Sequence, residues 1–162
     1  MSAAMKLLLC LCLGCLAVLL ASGCVETAAM FHGNAVSPVY VVTLQENAPV
    51  AGRWETFDLI IDYEAIRDGD VLEIKGQAAL SQHYQIVYDR VRYLIVYLFF
   101  VDENGRVLET IDFVDNLGGS PEDILQFAKF YKIPPGTTGI SFGYSGKVMD
   151  WESMKSFYLL PL

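Results

Sequence analysis

The chain has 162 residues, of which 11 are basic and 19 acidic, for a formal net charge of −8. That length suits one domain plus an export segment, and that charge makes nucleic acid a poor partner because the field of the whole molecule repels phosphates. Hydrophobic residues make up 54% of the chain, and much of that excess lies in the first 23 residues.

Lys6 closes a short n-region, and Leu7 to Ala21 is almost purely apolar; a start at Met5 would leave the same pattern. This run of about 15 residues falls short of the roughly 20 needed to span a bilayer. A positive start, an apolar run and small residues before a cut site make a secretory signal. The residues at the cut site, Leu20-Ala21-Ser22-Gly23-Cys24, resemble the lipobox of bacterial prolipoproteins, with Ala21 where that family most often has Leu. The resemblance implies diacylglyceryl transfer to the Cys24 sulfur, cleavage after Gly23 and acylation of the new amino terminus. The competing reading is a plain secretory signal, or a transmembrane anchor, with an incidental cysteine. Val25 is not the Asp that retains such proteins at an inner membrane, so the resemblance points to the periplasmic side of an outer membrane in a Gram-negative host.

The cysteines are Cys10, Cys12, Cys15 and Cys24, so cleavage leaves only Cys24. The disulfide framework of many small exported domains is therefore absent, and the remaining 139 residues (162 less 23) must hold together by an apolar core. Cleavage also removes Lys6, leaving ten basic residues against nineteen acidic ones, a formal charge of −9. Attachment to a membrane then falls to the acyl chains, at about 0.8 kcal/mol per buried CH₂, and not to a basic patch.

Residues 24–38 have no clear period and read as a lipidated tether; residues 39–162 read as the folded domain. Val39 to Leu44 suggests a first strand. Phe57, Leu59, Ile61 and Tyr63 alternate with Asp58, Ile60 and Asp62, the period of a half-buried strand. On that pattern Asp58 and Asp62 point outward to solvent. Asp68-Gly69-Asp70 is a turn signal, and Leu72 to Leu80 alternates again. Ser81 to Arg90 fits either a loop or a short helical turn.

Arg92 to Val101 is apolar on both faces, which marks a central strand. Asn104-Gly105 follows, the dipeptide suited to a two-residue type I′ hairpin, with Arg106 to Phe113 returning. That turn sets Glu103 opposite Arg106, Phe100 opposite Glu109, Leu98 opposite Ile111 and Val96 opposite Phe113, a core face. The other face carries Tyr97 opposite Asp112 and Phe99 opposite Thr110, with Tyr93 further along. Residues 112–123 read as an acidic loop. Ile124 to Ile133 reads as a strand whose alternation Lys129 and Lys132 interrupt. Pro134-Pro135-Gly136 is a turn, Ile140 to Tyr144 a strand, Asp150 to Lys155 a helical turn, and Phe157 to Leu162 a last strand. About seven short strands separated by turns indicate an all-β fold, an antiparallel β-sandwich.

Glu73-Ile74-Lys75-Gly76, then Leu98 to Val107, then Pro135-Gly136 with Phe142 beyond, resemble the FxLYD-type domains of prokaryotic lipoproteins. That likeness covers roughly residues 70–145 and implies an Ig-like sandwich. It lacks the family's Asn after the first Gly strand, and residues 112–123 are additional to it.

Candidate chemistry is sparse. His32 and His83 are isolated, whereas zinc needs three or four ligands, typically at short spacings. No G-x-S-x-G elbow, P-loop or G-x-G-x-x-G occurs, so no enzyme, cofactor or metal is expected. Asp112, Asp115, Asn116, Glu122 and Asp123 offer hard oxygens to calcium without the spacing of a dedicated calcium loop. Tyr93, Tyr97 and Phe99 face away from the expected core. Either another segment covers them, or they form an aromatic patch for a partner. The function expected is a non-catalytic envelope lipoprotein that binds a protein or scaffolds an assembly. The alternative is a binder of a small ligand or glycan, with calcium in the 112–123 loop.

Overall fold

The computed structural model describes residues 29–162, so the expected signal segment and the expected lipidation site Cys24 lie outside the described residues. Two antiparallel sheets pack face to face. After a 3-10 turn at Pro38–Tyr40 the strands are β1 (Val42–Thr43), β2 (Val50–Glu55), β3 (Leu59–Asp68), β4 (Val71–Leu80), β5 (Arg90–Val101), β6 (Val107–Asn116), β7 (Leu125–Lys132), β8 (Gly139–Met149) and β9 (Met154–Leu159). A short helix, α1 (Gln82–Val87), joins β4 to β5. The first sheet has the order β1-β8-β5-β6, with β9 also on β8; the second has the order β2-β3-β4-β7.

The strands follow the apolar alternation. Trp54, Leu59, Ile61, Leu72, Ile74, Ala78 and Phe127 of the second sheet meet Leu94, Val96, Leu98, Phe100, Phe113, Ile140, Phe142 and Tyr144 of the first, all buried. Each large side chain taken out of water here stabilises by about 1.5–3 kcal/mol. Phe113 packs edge-on to Phe127 at 4.6 Å and meets Phe142 at 5.8 Å, linking the sheets through their centre.

The hairpin departs from expectation at its tip. Asp102 N–H bonds the Arg106 carbonyl, so three residues, not two, make the turn. Gly105 has φ +72, whereas Asn104 does not have the positive φ that type I′ requires. The Asp102 carboxylate accepts the N–H groups of Asn104 and Arg106, both at 2.8 Å, which stabilises this longer turn. Leu108 is then left as a bulge, and the bulge restores the expected pairs Phe100–Glu109, Leu98–Ile111 and Tyr97–Asp112. A second bulge at Phe113 replaces the expected Val96–Phe113 pair by Val96–Val114, and both Phe113 and Val114 turn to the core.

Other expectations change for local reasons. Residues 112–116 continue β6 instead of beginning a loop, because Phe113 and Val114 still have core to fill. Residues 150–153 are a hairpin tip, not a helical turn, and Met154 and Lys155 already begin β9; the Asp150 carboxylate accepts the N–H groups of Glu152 and Ser153. β2 has a single buried residue, Trp54, and no alternating apolar face to announce it.

Lys129, one of the two expected interruptions of alternation, and Lys155 of β9 both turn toward the interior. β7 and β9 are outer strands of their sheets. Lys129 points inward, donating to the Phe113 carbonyl and lying over that ring. Lys155 points inward over Tyr84 at 5.1 Å and Phe57 at 5.9 Å. An inward charge on an edge strand resists pairing with another chain.

Candidate functional site

The expected aromatic face divides in two. Tyr97 and Phe99 are buried, 8% and 1% exposed, so they form no open patch. They sit in a second apolar cluster with Val36, Val101 and Val107 on the outer face of the first sheet. Phe31 covers them edge-on, with ring centroids at 6.1 Å from Tyr97 and 5.7 Å from Phe99. Leu160 from the C-terminal tail packs on the same cluster. Tyr93, two rows down β5, is half-buried opposite Lys147 of β8.

What covers them is the segment expected to be a tether. The Gly33 N–H donates to the Val107 carbonyl at 2.8 Å, the Val107 N–H to Asn34 at 2.9 Å and the Val36 N–H to Gly105 at 2.9 Å. Ala35 exchanges both backbone bonds with Leu162, and His32 Nδ1 lies 2.9 Å from the Leu108 carbonyl. Residues 31–36 therefore strap the β5–β6 hairpin instead of hanging free. An apolar cavity of about 120 Å³ remains between this strap and the tail, lined by residues including Val36, Tyr40, Phe99 and Leu160. Phe31→Ala is expected to cost about 3 kcal/mol, from lost burial and two edge-to-face contacts. Urea denaturation measures it; a cost below 1 kcal/mol would mean the strap does not hold the cluster.

The densest polar constellation was not anticipated, because Asp58 was read as an outward, solvated residue. It lies in the bend between β2 and β3. Its carboxylate accepts from the Tyr84 hydroxyl at 2.6 Å and the Tyr144 hydroxyl at 2.7 Å. Thr56 Oγ1 lies 3.0 Å from the Tyr144 hydroxyl and accepts the Leu59 N–H. Burial, followed by the Asp58 carboxylate, pushes the Tyr84 hydroxyl far above its usual range; burial chiefly does the same at Tyr144. This clamp joins α1, β8 and the β2–β3 bend. The one sequence signal for it was an Asp beside a Thr two residues back, ahead of a buried strand. His83 packs beside it, 5.3 Å from the Phe57 ring and 5.4 Å from Tyr84.

The outer face of the second sheet carries a polar ladder across all four strands. Arg53 Nε donates to Asp62 at 2.7 Å, Gln77 Nε2 to Asp62 at 3.4 Å and Gln126 Nε2 to Gln77 at 3.0 Å. The Arg53 bond holds the Asp62 carboxyl below its ordinary range. Here the outward reading of Asp62 is the one observed.

Of the side chains offered to calcium, Asn116 and Asp123 come together beside Gly119. Asp123 turns back to accept the Ser120 N–H at 2.8 Å, and among the described residues no group of three His, Cys, Asp or Glu side chains is placed to hold a metal ion. No helix among the described residues is long and apolar enough to cross a membrane.

No family model, curated protein or solved structure matches the chain. The likeness to FxLYD-type domains accordingly rests alone on the Glu73–Gly76, Leu98–Val107 and Pro135-Gly136 to Phe142 residues quoted above.

Proposed function

We propose that this chain is a lipid-anchored protein of the bacterial envelope whose sandwich serves as a non-catalytic binding or assembly module. The observation that carries this reading is the Leu20 to Cys24 run directly after a short apolar segment, with Cys24 the only cysteine beyond the cut. The strap supports it: with residues 31–36 bound to the hairpin, the domain hangs close to position 24 instead of on a long linker. The polar side chains brought together, Asp58 with Tyr84 and Tyr144, bond one another and hold elements together, which fits a structural role for this cluster.

The test is expression of the precursor in a bacterial host with intact mass measurement. The mature chain is expected to begin at Cys24 and to carry diacylglycerol and an amide-linked acyl chain. Cys24→Ser is expected to stay uncleaved by the lipoprotein pathway and to carry no lipid. A wild-type product that retains residues 1–23, or that has a free thiol at Cys24, would overturn the reading.

A further inference from the structure

The outer face of the first sheet is half covered. The strap and tail close the part near the β5–β6 hairpin, and the other half stays open toward the β8–β9 hairpin. Alternation puts Tyr93, Lys147, Met154 and Tyr158 on this open half: Tyr93 pairs with Lys147, Lys147 with Ser156, and Met149 with Met154. Met154 is 66% exposed, Tyr158 70% and Trp151, at the hairpin tip, 96%. Trp151 stands over a groove of about 440 Å³ that Asp89, Arg90, Met149 and Asp150 also line.

Charge is arranged unevenly. The ion pairs among the described residues, Arg53–Asp62, Arg67–Glu46 and Lys75–Glu64, all involve β2, β3 or β4 and the turn before them. Arg90 and Lys147, beside the exposed aromatics, are in none of them. Asp150 and Glu152 flank Trp151, and the Asp150 carboxylate is occupied by its own turn. At physiological salt, charges beyond about 8 Å are screened, so this local mixture, and not the net −9, governs a close surface.

The chain also enters on this face. Phe31 lies over Tyr97 and Phe99, and four residues separate Cys24 from Ala29. At full extension the five Cα-to-Cα steps reach about 18 Å. A lipid on Cys24 would therefore keep the bilayer within about 18 Å of Ala29, on the side of the sandwich whose outer face carries Trp151, Tyr158 and Met154 at its far end. Trp, Tyr and apolar side chains bordered by Arg and Lys suit the headgroup layer, where rings sit at the interface and cationic ends reach phosphates.

We propose that the open half of this face rests on the phospholipid headgroup layer, with Trp151, Met154 and Tyr158 entering it and Arg90 and Lys147 meeting lipid phosphates. The proposal rests on the anchor at Cys24, and it makes that anchor one of two membrane contacts. It gives the domain a fixed orientation, with the second sheet's polar ladder turned outward to whatever the protein binds.

The test uses the full lipidated protein, mass-verified, reconstituted into phosphatidylethanolamine–phosphatidylglycerol vesicles with and without brominated acyl chains. Trp54 is 4% exposed and Trp151 almost fully so, and Trp151→Phe isolates the tip. Bromolipid is expected to quench wild-type emission and to leave Trp151→Phe unchanged, while aqueous iodide reaches Trp151 in detergent but not on vesicles. If the lipidated protein keeps Trp151 open to iodide on vesicles, the resting surface is wrong and the anchor stands. If the mass shows no lipid at Cys24, both are wrong. Shielding that persists in detergent, with a doubled particle mass by sedimentation, would assign the face to a second copy of the chain and overturn the proposal.

Discussion

Gly76→Ala is expected to prevent stable folding or to lower the melting temperature by more than about 10 °C, corresponding to at least about 4 kcal/mol. Gly76 sits in mid-strand opposite Tyr63, at φ +154, a backbone state open in practice to glycine alone. A Cβ there would overlap the Asp62 carbonyl oxygen and lie 2.9 Å from Tyr63 Cα. Both obstacles are backbone, so no side chain can swing aside. The β3–β4 ladder would have to part at its centre, beneath Ile61 and Ile74, which are fully buried. A domain stable by about 5–15 kcal/mol has little room for that loss. Gln77→Ala next door is the control: it removes surface hydrogen bonds of the ladder and is expected to shift stability by about 0.5 kcal/mol or less. Thermal melts followed by circular dichroism decide the matter. A Gly76→Ala melt within 2 °C or so of wild type, on the scale of a few degrees per kcal/mol, would show that the strand pair yields more easily than its geometry implies.

Asp58→Ala is expected to cost about 3 kcal/mol, since hydrogen bonds to a charged group contribute about 1.5–3 kcal/mol and a buried hydroxyl left alone costs more than one replaced. The two tyrosines answer unequally. Tyr144 keeps Thr56 Oγ1 at 3.0 Å, whereas Tyr84, fully buried, has Asp58 as its hydroxyl's hydrogen-bond partner. Tyr84→Phe in the Asp58→Ala background should therefore recover part of the loss by removing the orphaned hydroxyl, and Tyr144→Phe should recover little. Urea titrations of these three variants, of wild type and of the two single Tyr→Phe variants give the coupling; if Asp58→Ala costs less than 1 kcal/mol, the clamp does not join the sheets. The clamp also sets the alkaline limit. Tyr84 and Tyr144 titrate far above the ordinary tyrosine value of 10, and Tyr131 is pushed up to about 12 by burial. Below pH 10 neither the folded nor the unfolded chain has lost these protons, so their contribution is fully present. Above pH 10 the unfolded tyrosines ionise while the folded ones hold their protons, so stability falls as pH rises. The midpoint in urea should be flat from pH 7 to 9.5 or so and decline beyond it.

The central hairpin shows how much of the fold was legible in the residues. Val96, Leu98 and Phe100 alternate with Tyr97 and Phe99, and the pairing Phe100–Glu109 to Tyr97–Asp112 is the observed one. It survives a misread turn because the third turn residue and the Leu108 bulge cancel. Bulges follow from how Phe113 and Val114 fit the core, and a period-two pattern holds no record of that fit. α1 was ambiguous because its six residues bury only Tyr84, too little for a helical period to register.

What the linear sequence determined is local: the alternation of the long strands and an outward Asp62. Those features act through near neighbours along the chain. What the tertiary structure alone decided is which faces are covered. Tyr97 and Phe99 look alike whether open or buried, and Phe31, some 66 positions before Tyr97, buries them. Asp58 looks solvated until Tyr84 and Tyr144 arrive from α1 and β8. Alternation tells which side chains share a face. It is blind to what distant segment closes over that face, because that depends on how the two sheets and the chain ends pack in space.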